Sequence, residues 1–277
     1  MGSAVLDALV AAGHQVTAVV RSQASSLAVS DRGGIGIIGD LFDAPWLSSA
    51  ARPRCCDPCR CRQRRARSRA NDAVATAVID AFGGTDKPFI HTGGIWTYGN
   101  NSQIVETNEP APPTLTAWRP AGEQRLLEAD IRATVIQPAV VYGRGAGIPA
   151  MLTHAAAEDG TLALIGSGEQ HWATVHVDDL ADLYVLALQA PGKRAYVGAS
   201  GENPTVRELG EALTSAVTPE SDEATVARLG LFGEALLLDQ QASGQRAKTE
   251  LEWRPSRPTL VELPWRRATP TPSDRAS

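Results

Sequence analysis

Hydrophobic positions in the first 45 residues switch between helical and strand spacing. Val5, Leu6, Leu9 and Val10 share one helix face, and Gly13 is suited to end that helix. Residues 16–20 form a short β-branched strand, 34–40 read as a second, buried strand, and 41–49 as a short helix. Further on, Asn71 is placed to cap a helix with the apolar face Val74, Val78, Ile79 and Phe82, closed by Gly83 and Gly84. Residues 88–92 and 132–137 are strands on either side of a helix over 119–128. Strands alternating with helices in this way predict an α/β fold, a doubly wound, Rossmann-like parallel sheet. Ligands on such a sheet bind at the carboxyl ends of the strands, which here are Arg21, Asp40, residues 92–98, and Gln137 with Pro138. From about Gly143 the pattern changes to glycine-rich loops, short strands over 162–165, 173–177 and 195–198, and helices beginning near Asp178 and Thr205. A sheet domain over 1–142 and a smaller lobe over 143–277, with elements returning to the sheet, is the expectation. Either Asp178 or Asp179 is placed to cap the first helix of the lobe, and residues 255–277, rich in Pro, Arg and Ser, read as a frayed tail.

The composition is that of an ordinary globular chain: 277 residues, 43% hydrophobic, 21% charged, formal charge −5. That balance offers no reason to expect a nucleic-acid or membrane partner. No apolar run approaches the ~20 residues of a membrane span, and the N-terminus lacks the basic region of a signal peptide. A cytoplasmic location is expected. One segment departs from the average. All four cysteines and eight arginines lie within 52–69, whose only acid is Asp57, so the segment carries +7 and the remainder −12. Cys55, Cys56, Cys59 and Cys61 lack the two separated C-x-x-C pairs of a zinc site. The arginines have no interleaved aromatic residues for stacking on bases, so the segment reads as disordered and functionless. His171, His176, Asp178 and Asp179 are better explained by a strand and a helix cap than by metal, and no metal site is expected.

Several short runs resemble the extended and atypical short-chain dehydrogenase/reductases, the NAD-dependent epimerase/dehydratase family. Residues 1–5 resemble the end of the family's T-G-A-T-G-F-I-G opening, and residues 13–17 the stretch leading into its second strand. Gly39-Asp40-Leu41 resembles its adenine-contacting G-D-L, and residues 92–99 its strand-end S-S-x-x-V-Y-G. Residues 137–143 resemble R-P-x-x-V-Y-G, residues 176–181 H-V-D-D-L-A, and residues 251–255 a terminal L-G-W-x-P. Counting 1–5 with its continuation at 13–17 as one, six such runs occur in order along nearly the whole chain.

The resemblance implies a dinucleotide-binding domain over 1–142, a small-molecule substrate held by the second lobe, and a homodimer formed through helices of the sheet domain. It also implies two missing pieces. The match begins one strand late, so Gly2 stands for only the third glycine of the phosphate-binding G-x-x-G-x-x-G, and the chain reads as lacking the first strand. A strand similar to D-A-V-V-H-x-A is expected near 54–61, where this chain has Pro58 among charges. Read one nucleotide later, codons for residues 54–61 can spell Asp-Ala-Val-Ile-His-Ala-Ala-Ala, which suggests that 52–69 is out of frame.

The usual Ser-Tyr-Lys set falls on Gly94, Leu115 and Arg119. Arg119 can hold a ribose hydroxyl, or be a solvated residue at a helix start, whereas leucine exchanges no proton. Thr92 and Tyr98 are the substitute hydroxyls, each with an alternative structural role in capping or packing. Arg21 with Ser22 stands where NAD-preferring folds place an acid, and a guanidinium there suits the 2′-phosphate of NADP, with NAD possible. Gly2, Asp40, Leu41, Thr92, Arg119, Gln137, Pro138 and Val140 complete the expected cofactor contacts. The function implied is NAD(P)-dependent oxidoreduction or epimerisation of a small carbonyl or sugar-like compound. The alternatives are a catalytically silent, redox-sensing dinucleotide binder and a damaged gene product.

Overall fold

The computed structural model describes residues 1–39, 64–152 and 161–262. Asp40, Leu41, the helix expected over 41–49 and most of the 52–69 segment, with its zinc, nucleic-acid and out-of-frame readings, lie outside the described residues.

The chain enters on helix α1 (Gly2–Ala11) and passes through Gly13, at φ +83°, into strand β1 (Thr17–Val20). Helix α2 (Gln23–Ser30) follows, capped by the Ser22 hydroxyl, and then strand β2 (Ile35–Ile38), parallel to β1 in the register Thr17 to Ile35 and Val20 to Ile38. Strand β2 corrects the expectation of burial. A Cβ on Gly36 would lie 2.5 Å from the Ser26 hydroxyl, so α2 covers that face; Ile35 and Ile37 point to the other face, 57% and 43% exposed. Nothing among the described residues covers it.

Helix α3 (Arg64–Phe82) starts before Asn71, correcting the proposed cap. Arginine and alanine, which dominate 64–70, are strong helix formers, and the Asn71 amide is instead packed against Gly122. Strand β3 (Pro88–Thr92) leads through a 3₁₀ turn (Ile95–Tyr98) to β4 (Asn101–Ile104), then to helix α4 (Arg119–Glu128) and strand β5 (Arg132–Pro138). Strand β9 (Arg194–Gly198) returns to this sheet, giving the parallel order β3–β5–β9 with Thr92 beside Ile136 and Ile136 beside Tyr196. Side chains alternate across it. Phe89 and Ala133 meet Val74, Val78 and Phe82 of α3 and Leu126 of α4 on one side. Ile90, Ile136 and Tyr196 meet Leu180, Leu183 and Tyr184 of helix α5 (Val177–Ala187) on the other. Ala4 of α1 packs onto Val177 and Ala181, tying the first helix to α5.

The outer edge of β9 is closed by side chains. Glu106 Oε1 accepts from Val197 N at 2.8 Å, and Arg246, paired with the same carboxylate, donates to Ala195 O.

A second apolar cluster gathers Val140 and Tyr142 of strand β6 (Val140–Tyr142), Leu162 of β7 (Leu162–Ala163), Leu164, Trp172, Val206 and Leu209 of helix α6 (Val206–Leu213), and Leu236. Strand β8 (Thr174–His176) pairs with β6 in parallel. Helix α5 is capped by the His176 ring, whose Nδ1 accepts from Asp178 N at 3.2 Å, and not by Asp178 or Asp179. Asp179 is turned inward at 2% exposure and its two oxygens accept from Ser256 N and Arg257 N, both at 3.1 Å. Trp253 Nε1 donates to Asp179 O, and Leu260 is buried at 1%. The tail is therefore held as far as Leu260, against the expectation of fraying from 255, because Asp179 supplies acceptors its backbone needs and Leu260 is buried.

Asp179→Ala leaves those two part-buried backbone hydrogen bonds and the nearby Arg257 without their acceptor. It is expected to cost roughly 2–4 kcal/mol in urea unfolding, where an unchanged midpoint would show that the tail is held by Trp253 and Leu260 alone.

Candidate functional site

The carboxyl ends of β3 and β5 meet at a glycine pair. Gly93 N donates to Ile136 O at 2.7 Å, continuing the ladder one residue beyond Thr92. Side chains fill the space beside both glycines. A Cβ on Gly93 would lie 2.5 Å from Glu123 Oε1 and 3.1 Å from Gln137 Cγ; one on Gly94 would lie 3.0 Å from Arg119 Nη1. The guanidinium thus takes up room that a serine at 94 would need.

Arg119 and Glu123 start helix α4 one turn apart, on the same face. Trp118 precedes them as a cap without a side-chain hydrogen bond, with its ring 5.3 Å from the Arg119 guanidinium. Arg119 Nη1 donates to Gly93 O. Glu123 is buried at 4% exposure, and its Oε2 accepts from Gln137 Nε2 at 2.9 Å. The Gln137 carbonyl in turn accepts from the Tyr98 hydroxyl at 2.6 Å. The line Tyr98–Gln137–Glu123 therefore runs beneath the glycine pair, and Glu123 Oε1 ends it without a hydrogen-bond partner among the described residues.

Burial sets the protonation of this cluster. It pushes the Glu123 carboxyl up, a rise that the Gln137 hydrogen bond and the Arg119 charge only partly offset. Burial, then the charge of Glu106, raises the Tyr98 phenol as well. The His91 imidazole, buried on β3, is drawn from the ordinary 6.5 to about 4 by burial and then by Arg119. At neutral pH the strand ends hold an uncharged imidazole and phenol around one guanidinium.

On the other side of the sheet the Thr92 hydroxyl lies 2.6 Å from the Tyr184 hydroxyl of α5. Thr92, Tyr98, Arg119 and Gln137 are thus brought together at one edge, with Tyr98 and Gln137 turned into the protein and bonded to each other. Pro138 is buried at the end of β5 and Val140 at the start of β6, both behind this edge. Leu115 lies half-buried in the turn before α4.

Gly2 is apart from them, in the first turn of α1, with nothing within 4 Å of where a Cβ would be. Arg21 is exposed at the end of β1. Ser22 caps α2, its hydroxyl accepting from Ser25 N at 3.2 Å and meeting the Ser25 hydroxyl at 3.0 Å. His171 pairs with Asp239 at 3.0 Å, and no group of three or more potential metal ligands occurs among the described residues.

Sequence reasoning did not single out His91, Glu123 or Tyr184 as site residues. His91 interrupts the apolar run of β3, which is the signal that could have found it; Glu123, in a mostly polar helix, gives none. Tyr184 sits at helical spacing with Leu180 and gives no such signal.

The family model described as NAD dependent epimerase/dehydratase family matches residues 1–198. An uncharacterized protein of Schizosaccharomyces pombe is 28% identical over 94% of this chain and 93% of its own length. The 2-alkyl-3-oxoalkanoate reductase of Stenotrophomonas maltophilia is 29% identical over 50% of this chain and 46% of its own. Among solved structures, Thermus thermophilus UDP-glucose 4-epimerase in complex with NAD superposes with a TM-score of 0.76 at 18% identity, covering 96% of this chain and 94% of that one.

Two consequences of the geometry are measurable. Gly93→Ala drives a methyl against the hydrogen-bonded Glu123 carboxyl and should cost about 1–3 kcal/mol in urea unfolding. Gly94→Ala meets only the end of Arg119 and should cost well under that; equal losses would contradict the packing described. Separately, folded His91 stays uncharged while the unfolded chain takes up a proton near 6.5, so stability should fall as pH drops from about 6.5 toward 4. The loss should reach on the order of 2–3 kcal/mol, and His91→Gln should flatten that limb of the stability profile.

Proposed function

The chain belongs to the NAD-dependent epimerase/dehydratase family, and from that premise we propose that it binds NADP(H) along the carboxyl ends of β1, β3 and β5. In this reading it carries out NADP(H)-dependent oxidoreduction or epimerisation of a small carbonyl or sugar-like compound. The observation that carries the reading is the position of Arg119, the residue that falls on the family's lysine, with its guanidinium at the Gly93–Gly94 strand end.

The residues present fit such a cofactor. The first turn of α1 has open space at Gly2, and a helix N-terminus favours a pyrophosphate. Exposed Arg21, beside the hydroxyls of Ser22 and Ser25, suits a 2′-phosphate by charge-assisted hydrogen bonding. Arg119 would hold the nicotinamide ribose. A bound nicotinamide supplies the hydride acceptor or donor. The chain's own residues orient the substrate and handle its proton: Thr92, backed by the Tyr184 phenol, is the hydroxyl at the strand end, and Tyr98 keeps Gln137 in place from below. With Leu115 at the family's tyrosine position, proton exchange passes to Thr92 or to water.

That same substitution favours a second reading, a dinucleotide-binding protein that does not turn over substrate. Leu115 cannot exchange a proton, and Arg119 fills the space of the family's serine.

Fluorescence titration with NADPH and NADH tests binding, and turnover over a panel of aldehydes and ketones separates the two readings. Arg21→Ala should weaken NADPH by roughly tenfold or more, the value of about one charge-assisted hydrogen bond, and leave NADH nearly unchanged. Arg119→Ala should weaken both. Equal loss of the two cofactors in Arg21→Ala would remove Arg21 from the 2′-phosphate, and no binding of either would overturn the reading.

A further inference from the structure

The turn that follows the Gly93–Gly94 pair carries Trp96, half-buried, with its ring 6.0 Å from that of Phe232 and steeply inclined to it. Phe232 belongs to the helix Leu231–Leu236 of the lobe. After β6, Gly147 at φ +94° turns the chain back against Val141 O and is followed by Ile148. Trp96, Phe232 and Ile148 all pack on the cluster around Val140, Trp172 and Leu236, and each keeps part of its surface in solvent. Two aromatic rings and a branched alkyl group are thus gathered beside the strand end. Such a surface suits an apolar ligand group, because rings bury large areas and stack at an angle or offset.

A nucleotide sugar asks for the opposite, donors for its hydroxyls and cations for its diphosphate. The polar side chains around Trp96 direct their N–H groups into the backbone. Gln240 Nε2 donates to Ile95 O at 3.0 Å and Gly99 O at 2.7 Å, closing the turn that carries Trp96. Trp172 Nε1 donates to Leu236 O at 3.0 Å, and Gln170 Nε2 to Ile165 O at 2.8 Å. Beside the same turn stands an acid, Asp239, whose N–H donates to Asn100 Oδ1 and whose carboxylate accepts from His171 N, both at 2.9 Å. Among the described residues from 143 onward, Arg144, Arg194, Arg207, Arg228, Arg246 and Arg257 are each paired with a carboxylate of the chain. Lys248 donates to Ser200 O, Lys193 lies at the amino end of β9, and Arg254 lies on the tail held at Asp179. A diphosphate would have to break an ion pair and settle near Asp239.

We propose that the substrate is a neutral aldehyde or ketone whose aryl or alkyl group lies on Trp96, Phe232 and Ile148, and not a nucleotide-diphosphate sugar. The inference rests on the proposed function for the position of the reacting carbonyl, at the Gly93–Gly94 strand end. The reaction is the one already assigned there: the carbonyl carbon gains a hydride and its oxygen a proton, so that ketone and NADPH give alcohol and NADP⁺.

Binding is measured first, without turnover. In equilibrium dialysis against the full chain, with and without NADP⁺, 4-phenylbutan-2-ol should bind at least about tenfold more tightly than butan-2-ol or UDP-glucose. Trp96→Ala and Ile148→Ala should each weaken it several-fold. Turnover is then compared as a ratio, which a loss of folded protein leaves unaltered. In the parent, kcat/KM for 4-phenylbutan-2-one should exceed that for butan-2-one by at least about tenfold, and the ratio should fall in both variants. A ratio unchanged in both, UDP-glucose bound as tightly as the aryl alcohol, or no binding of the aryl alcohol overturns the proposal. Aryl alcohol binding that both variants weaken, in a chain that reduces no ketone, upholds the apolar seat and overturns the proposed oxidoreduction instead.

Discussion

Strand β5 pairs with β3 on one side and β9 on the other, and from Ala133 to Pro138 it is buried throughout. A strand enclosed on both faces must be nearly continuous in apolar residues, and its neighbours must supply every hydrogen bond its backbone cannot obtain from water. Register is then fixed, because a slip by one residue would exchange the faces packed against α4 and α5. The site follows from that register. Thr92 beside Ile136 brings Gly93 N onto Ile136 O, where β3 ends while β5 runs on through Gln137 to Pro138, so Gln137 lies beside the glycine pair.

The polar residues at this edge are held by one another. Gln137 uses both ends of its amide, one on Tyr98 and one on Glu123, and from α4 Arg119 bonds the Gly93 carbonyl while Glu123 fills the space where a Gly93 side chain would be. Such a network is worth its desolvation only when its members are satisfied. Here Glu123 Oε1 and Arg119 Nε are buried without a hydrogen-bond partner among the described residues, and strain of that kind gathers where a site has work to do.

The α/β alternation was legible because helix and strand periods differ, and the runs around Thr92, Gln137 and His176 marked the strand ends in order. Three features were not. The exposure of β2 depends on what lies beside it, and the glycine spacing at 34 and 36 that puts α2 on one face resembles that of a buried strand. Asp179 reads as a helix cap because acids near a helix start usually are, and only the folded tail reveals it as an acceptor for Ser256 and Arg257. The burial of Glu123 depends on packing between α4 and the sheet, which local pattern does not encode. The segment at 40–63 lies outside the described residues, and with it the reading of its arginines and cysteines.

The two ends of the sheet system are finished differently. Glu106 and Arg246 occupy the backbone groups along β9, so a foreign strand arriving there would have to displace an ion pair. Strand β2 has no such guard among the described residues and shows Ile35, Ile37 and Ile38 to solvent. Apolar strand borders that nothing covers are where chains add to one another. A lysine placed on the Ile35–Ile37 face would give that border the charge which keeps strand edges apart.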